Sequence, residues 1–336
     1  MERPIIAIPM GDPAGVGPEI AIKAAAKTDI LSKARCLIVG DIRIMEQAAA
    51  FPSMPAVHLK SISTPEDGDY SAGCINVIDL HNLSPDKFSM GQVSADCGRA
   101  AYECIEKAIA LAMEGSAHAT ATTPINKESF RAAGVPYIGH TEVFAALTGT
   151  PDPLTIFEVR GMRVFFLTRH MSLKQACCAV KKDRIIDCVQ RSFKVLQQLG
   201  GDDRPFAVAG LNPHSGEHGM FGSEEVEEIS PAVTQLQSMG CNVVGPIGAD
   251  SVFAQALEGR YSGVLSLYHD QGHIATKTVD FYRTISITGG MPILRTSVDH
   301  GTVFNRAGKG TASSVSMEEA ILVAAKYAPA FAKSKV

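Results

Sequence analysis

Three histidines each close an apolar run: His170 follows MRVFFLTR, His214 follows FAVAGLNP and His269 follows GVLSLY. Each run has the length and composition of a buried β-strand. In a parallel α/β sheet the carboxyl ends of the strands face one crevice, so side chains just beyond them can meet although they are far apart in sequence. Three imidazoles with positions left open for water or substrate would make a catalytic divalent-metal site. Asp270 beside His269 and Glu217 near His214 are carboxylates able to orient such a ligand ring. A loop histidine bonded to backbone explains each of them singly, and the residues alone leave both readings open. His218 and His273 share these loops, whereas His58, His81 and His118 stand in contexts that suggest no chemistry.

Two glycine-rich segments come next. GDPAGVGPEI follows the first apolar run and leads into a helix that starts at Pro18, but its spacing is not G-x-G-x-x-G. It is either a tight strand-to-helix turn or a helix N-terminus open to an anion. TSVDHGTVFNRAGKGTASS is more telling, because it resembles the H-G-[ST]…A-G-K-G loop that wraps the adenosine of NAD(P) in isocitrate and isopropylmalate dehydrogenases. Glycine lets backbone approach a cofactor closely, and the resemblance implies His300, Gly301, Ala307, Gly308 and Lys309 as cofactor contacts, a glycine-rich surface turn being the alternative.

The elements that must position these groups are legible as punctuation. Apolar runs IIAIPM, CLIVG, INVID, ATATTP, MRVFFLT, FAVAGLNP, VLSLY and ISITGG read as strands, and helical spacing covers Val93 to Met113, Leu173 to Leu199 and Glu224 to Met239. Ser223 stands as a capping residue before Glu224, and a last helix is expected from Ser316 onward. Strands alternating with helices predict an α/β protein with largely parallel sheets. A chain of 336 residues that is 46% hydrophobic exceeds one compact core, so two domains are expected. A net charge of -4 without a basic stripe argues against nucleic acid. No run approaches the roughly 20 apolar residues that span a bilayer, and MERPIIAIPM does not read as a signal peptide, which predicts a soluble cytoplasmic protein. Cys36, Cys74, Cys97, Cys104, Cys177, Cys178, Cys188 and Cys241 include no C-x-x-C pair and are expected as buried or half-buried thiols.

Read together, TTPINKESFRAAGVPYIGHTE, GLNPHSGEHGMFGSEE, YHDQGH and LRTSVDHGT, with GDPAGVGPEI at the start, resemble the 4-hydroxythreonine-4-phosphate dehydrogenase family over nearly the whole chain. The resemblance implies two α/β/α domains with a central cleft, similar to the isocitrate/isopropylmalate dehydrogenase fold. It places residues 1–133 with 285–336 in the first domain, bearing the adenosine loop, and 134–284 in the second, bearing the metal histidines. His170, His214 and His269 are then ligands of a divalent cation (zinc, cobalt, magnesium, manganese or nickel) in a site shared by two subunits of a homodimer. His140, Thr141, Lys277, Ser286 and Arg295 become substrate contacts, suited to a ligand carrying phosphate and carboxylate. NAD, or NADP, takes hydride from carbon 3 of a four-carbon 4-phosphorylated acid, and the resulting β-keto acid loses carbon dioxide. Lys277, Asp250 and Asp270 are candidates for proton transfer, with none assigned.

The chain also departs from the biosynthetic enzymes. Their HDQG segment continues with Leu-Pro and reaches an Asn in G-V-N-I-T-L-G, whereas His273 and Ile274 follow here and Ser286 takes the Asn position. Exchanging an amide for a hydroxyl removes hydrogen-bonding capacity. With FEVRG and RHMSL, this pattern resembles the branch acting on D-threonate or D-erythronate 4-phosphate, whose product is dihydroxyacetone phosphate. The alternatives are the pyridoxal phosphate precursor enzyme itself and, outside the family, a non-catalytic sugar-phosphate-binding protein.

Overall fold

In a computed structural model that describes residues 3–334, the expected alternation of strands and helices is present throughout. The strands are β1 (Ile5–Pro9), β2 (Arg35–Gly40), β3 (His58–Ile62), β4 (Cys74–Asp79), β5 (Ala119–Thr122), β6 (Leu154–Val159), β7 (Met162–Phe166), β8 (Phe206–Ala209), β9 (Val243–Ile247), β10 (Gly263–Ser266), β11 (Ile285–Gly289) and β12 (Arg295–Val298). The chain divides into two compact units, Met1–Pro153 with Met291–Val336, and Leu154–Gly290.

In the first unit the strand order is β3-β4-β2-β1-β5-β12, parallel throughout. Every residue of β1 is buried, as a parallel strand covered on both faces requires. The helix Ala95–Glu114 packs on β1, β2 and β5 through Cys97, Ala101, Cys104, Ile105 and Ala108, which recur at helical spacing. Ser94 starts it by accepting the Cys97 N–H, and Gly115 in the left-handed region ends it. Gly98 is required by contact, since a Cβ there would lie 2.1 Å from the Ser129 carbonyl oxygen of the helix Lys127–Ala132.

In the second unit the order is β11-β6-β7-β10-β8-β9. β7, β10, β8 and β9 run parallel, while β6 is antiparallel to both β7 and β11. Phe157, Val164, Phe166, Ala207 and Val264 form its buried core.

Several expectations are corrected. The helical stretch Leu173 to Leu199 is two helices, Leu173–Cys178 and Lys182–Gln198, with Lys181 extended between them and the Lys182 N–H bonded to Glu228. The stretch from Glu224 opens as a π-turn, Glu225–Ile229, before the helix Ser230–Ser238. Pro231 cannot donate to the carbonyl four residues back, and the turn before it widens. The strands β3, β6, β9 and β12 were not expected: β3 is a largely exposed edge, β9 contains Gly245 and Pro246, and β12 reads Arg-Thr-Ser-Val. Residues 134–153 pack with the first unit because Val143 and Phe144 join Ile105, Ile109, Phe130 and Ile293, whereas 285–290 belong with the second through β11 pairing with β6. Cys178 is exposed, and burial pushes the Cys36 and Cys97 thiols up to about 12, far from reactive thiolates. Among the described residues no helix is long and apolar enough to cross a membrane.

Candidate active site

β7 and β10 pair in parallel register, Val164 with Val264 and Phe166 with Ser266, so their carboxyl ends lie side by side. Backbone continues the join, with Leu167 N–H on the Ser266 carbonyl at 2.8 Å and the Thr168 hydroxyl on the Leu267 carbonyl at 2.8 Å. This brings His170 and His269 together, their ring centroids 5.9 Å apart, beside a cavity of about 440 Å³ also lined by Arg169, Met171, Tyr268 and Asp270.

His269 is the first residue of the helix His269–Val279, and its Nδ1 lies 2.6 Å from Asp270 Oδ1. A carboxylate on one imidazole nitrogen fixes the tautomer and leaves the other nitrogen, Nε2, as a donor atom for a metal. One face of the His269 ring is covered by His273, one helical turn on: the rings stack at 3.7 Å with 12° between planes, and His273 Nδ1 lies 2.8 Å from the His269 carbonyl oxygen. Phe157 and Phe166 back the His273 ring at 4.3 and 4.7 Å. Gln271, mostly buried, ties two strand ends together, accepting the Leu267 N–H at 2.7 Å and donating to the Gly210 carbonyl at 2.8 Å.

His214 sits apart from that pair. Residues 214–218 are all left-handed, with φ of 53° at His214, 54° at Ser215, 41° at Glu217 and 57° at His218. Such a conformation costs about 1–2 kcal/mol for each non-glycine residue, so it persists only where neighbours impose it. Glu225 does so: buried, it accepts the Leu211 and Asn212 N–H groups at 2.7 Å and the Asn212 amide at 2.8 Å. The His214 ring faces Phe221, 6.3 Å away. Among the described residues, no group of three or more His, Cys, Asp or Glu side chains is gathered to hold a metal ion within the chain.

In the first unit, Arg295 of β12 is buried, its guanidinium 4.9 Å from the Phe144 ring centroid and 3.3 Å from the Thr122 hydroxyl. Burial lowers its pKa to about 10, partly countered by Glu142. His140 opens the helix His140–Leu147; the residue is half-buried, its Nε2 is buried, and burial together with the Arg295 charge holds the imidazole well below its ordinary pKa. A cation and a neutral imidazole thus stand together where an anionic ligand would be stabilised. Thr141 is half-buried beside them.

The other candidates are dispersed. In the second unit, Lys277 Nζ lies 5.3 Å from the Phe281 ring, Ser286 stands opposite Phe157 in β11, and Asp250 is in the first turn of the helix Ala249–Leu257. In the first unit, His300 is half-buried with Nδ1 2.9 Å from the Gly301 carbonyl, and Lys309 folds back onto the Asn305 carbonyl at 2.7 Å. Ala307 is buried, and Gly308 is left-handed against Met90.

A mixed α/β fold with these groups at strand ends is that of a dehydrogenase. The family model described as pyridoxal phosphate biosynthetic protein PdxA matches residues 32–324, and the chain belongs to that family. It is 56% identical over 331 residues to a Clostridium botulinum protein named "Putative D-threonate 4-phosphate dehydrogenase", covering 98% of this chain and 99% of the relative. A Fusobacterium nucleatum protein of the same name is 57% identical over 333 residues, covering 99% of this chain and all of the relative. Among solved structures, a 4-hydroxythreonine-4-phosphate dehydrogenase from Klebsiella pneumoniae superposes with a TM-score of 0.90 at 41% identity, covering 97% of this chain and 99% of that one. The protein is therefore a dehydrogenase of the PdxA family, an oxidoreductase acting on a phosphorylated hydroxy acid.

Proposed function

We propose that the chain oxidises and decarboxylates D-threonate or D-erythronate 4-phosphate, using NAD(P) and a divalent cation, to give dihydroxyacetone phosphate and carbon dioxide. The observation that carries the substrate choice is the contrast in identity, 56–57% over nearly the full length to relatives named for D-threonate 4-phosphate against 41% to the hydroxythreonine-phosphate enzyme. His273 and Ser286, where the biosynthetic pattern has Leu and Asn, point the same way.

His170, His214 and His269 would hold the cation, with the set shared between two copies of the chain. The donor chemistry fits, because Asp270 occupies Nδ1 of His269 and leaves Nε2 to ligate. When bound, the cation supplies a Lewis acid that lowers the pKa of a hydroxyl and stabilises charge developing on oxygen. The loop with His300, Gly301, Ala307, Gly308 and Lys309 would hold NAD(P), which would supply the hydride acceptor.

The chain's own residues bind and orient. Arg295 offers a planar fork to an acidic group, with its guanidinium over the Phe144 ring. His140, kept neutral by its surroundings, hydrogen-bonds substrate without adding charge, with Thr141 beside it. Asp270 is committed to His269, which leaves Lys277 and Asp250 to transfer protons. In the second unit, Lys277 and Ser286 are the polar groups assigned to substrate.

The test is NADH or NADPH formation with added metal on D-threonate, D-erythronate and 4-hydroxythreonine 4-phosphates. Faster turnover of the aldonate phosphates with stoichiometric dihydroxyacetone phosphate is expected. Preference for hydroxythreonine phosphate would reverse the substrate choice, and no turnover of any of them would favour a binding protein.

A further inference from the structure

The GDPAGVGPEI segment has no ligand role in the reading above, yet its residues converge on the C-terminal glycine-rich loop of the same unit. Glu19 is fully buried, and its Oε1 accepts the Lys23 ammonium at 2.8 Å and the Ala312 N–H at 2.7 Å, 293 residues away in sequence. The Lys23 Nζ also donates to the carbonyls of Gly310 at 2.8 Å and Ala312 at 2.9 Å. An ammonium has three protons, so all of them are committed, two to the backbone of this loop. The other end of the loop is fastened by the same segment, because the Val16 N–H donates to the Thr302 carbonyl at 3.1 Å. Gly310 is itself left-handed at φ +64°, and a Cβ there would collide with the Pro52 carbonyl, so the backbone between the fastenings has one route.

We infer that Glu19 and Lys23 are a positioning pair that sets the affinity of residues 300–310 for the dinucleotide. This rests on the reading of that loop as the cofactor loop. An ion pair whose carboxylate is buried and whose half-buried ammonium spends two hydrogen bonds on a distant loop contributes position, because a surface loop needs no buried charge to exist. Gly310 follows Lys309 directly, so holding the Gly310 carbonyl restrains the chain one peptide beyond Lys309. The pair touches no substrate and moves no proton.

The test compares wild type with Glu19→Gln and with the double variant Glu19→Gln/Lys23→Met, which strands no lone charge, after far-ultraviolet dichroism shows each folded. Expected are an NADH dissociation constant raised about tenfold or more by fluorescence titration, faster amide exchange over 302–312, and a substrate KM within about twofold of wild type. Unchanged NADH affinity, unchanged exchange, or a parallel loss of substrate affinity overturns the positioning role. His300→Ala and Lys309→Ala, measured alongside, say which premise failed. If they weaken NADH while the Glu19 variants do not, positioning falls and the cofactor loop stands; if they too leave NADH unchanged, the reading of the loop falls.

Discussion

Asp12, within GDPAG, is fully buried; Oδ1 accepts the Ala14 N–H at 2.9 Å, while Oδ2 has no hydrogen-bond partner. Burial raises its pKa from 3.8 to about 6, against smaller opposing effects of the Ser129 side chain and the Ala14 N–H. An acid whose folded pKa lies above its unfolded one contributes nothing to the pH dependence while both states are protonated. As pH rises through 3.8 the unfolded chain ionises first, and the folded state loses ground until the folded carboxyl ionises near 6. A gap of 6 − 3.8 ≈ 2.2, at about 1.4 kcal/mol per pH unit, is a penalty of about 3 kcal/mol above pH 7. At pH 4.5 the same two values leave about 1 kcal/mol. Asp12→Asn removes this dependence and adds a pH-independent cost for its buried amide. The stability of the variant minus that of wild type should therefore be about 2 kcal/mol more favourable at pH 7.5 than at pH 4.5. For a unit of this size that is about 4–8 °C in melting temperature. Urea unfolding followed by near-ultraviolet dichroism at both pH values measures it. A difference between the two proteins that stays constant with pH, or shrinks as pH rises, would refute the claim that burial raises the Asp12 pKa.

His273→Leu removes both the ring stacked on His269 and the bond to its carbonyl, so manganese or zinc affinity by calorimetry should fall about tenfold with the fold intact. Unchanged affinity would mean that Asp270 alone orients the ligand. Gly98→Ala forces a methyl to 2.1 Å from the Ser129 carbonyl, so the helices Ala95–Glu114 and Lys127–Ala132 must part, at about 1–3 kcal/mol in urea unfolding. Wild-type stability would show that they separate at no cost. Arg295→Lys keeps a positive charge but loses the planar fork against Phe144, and substrate KM should rise about tenfold or more, with Arg295→Met worse still. A KM preserved in the lysine variant would show that charge alone recruits the anion.

What could be read from the sequence follows from how local each cause is. Buried runs such as IIAIP and FAVA announce themselves because a parallel strand covered on both faces must be apolar along its length. β3 and β12 escape the same reading because edge exposure and Thr/Ser pairing replace that signal. His170 and His269 could be expected to meet because their strands end in apolar runs, and parallel pairing of β7 with β10 does the rest. His214 follows an equally good run, yet its position depends on a left-handed turn held by Glu225, and an acid in a Glu-rich helix start carries no mark of that duty.

The residues that sequence reading missed share one property: each has a backbone partner on another element. Gln271 holds the Gly210 carbonyl, Glu225 the Leu211 and Asn212 N–H groups, and Glu19 the Ala312 N–H. A backbone partner has no side-chain identity, so nothing at the far position records the pairing. Each of these polar side chains is buried or nearly so and satisfies groups that a loop leaves open when it turns without regular structure. Loops that present chemistry at the ends of strands cannot bond to themselves as helices and sheets do, and buried carboxylates and amides from neighbouring elements close the deficit. The groups proposed to touch substrate are chosen by type and spacing, whereas the groups that hold the loops around them become visible only once the chain is folded.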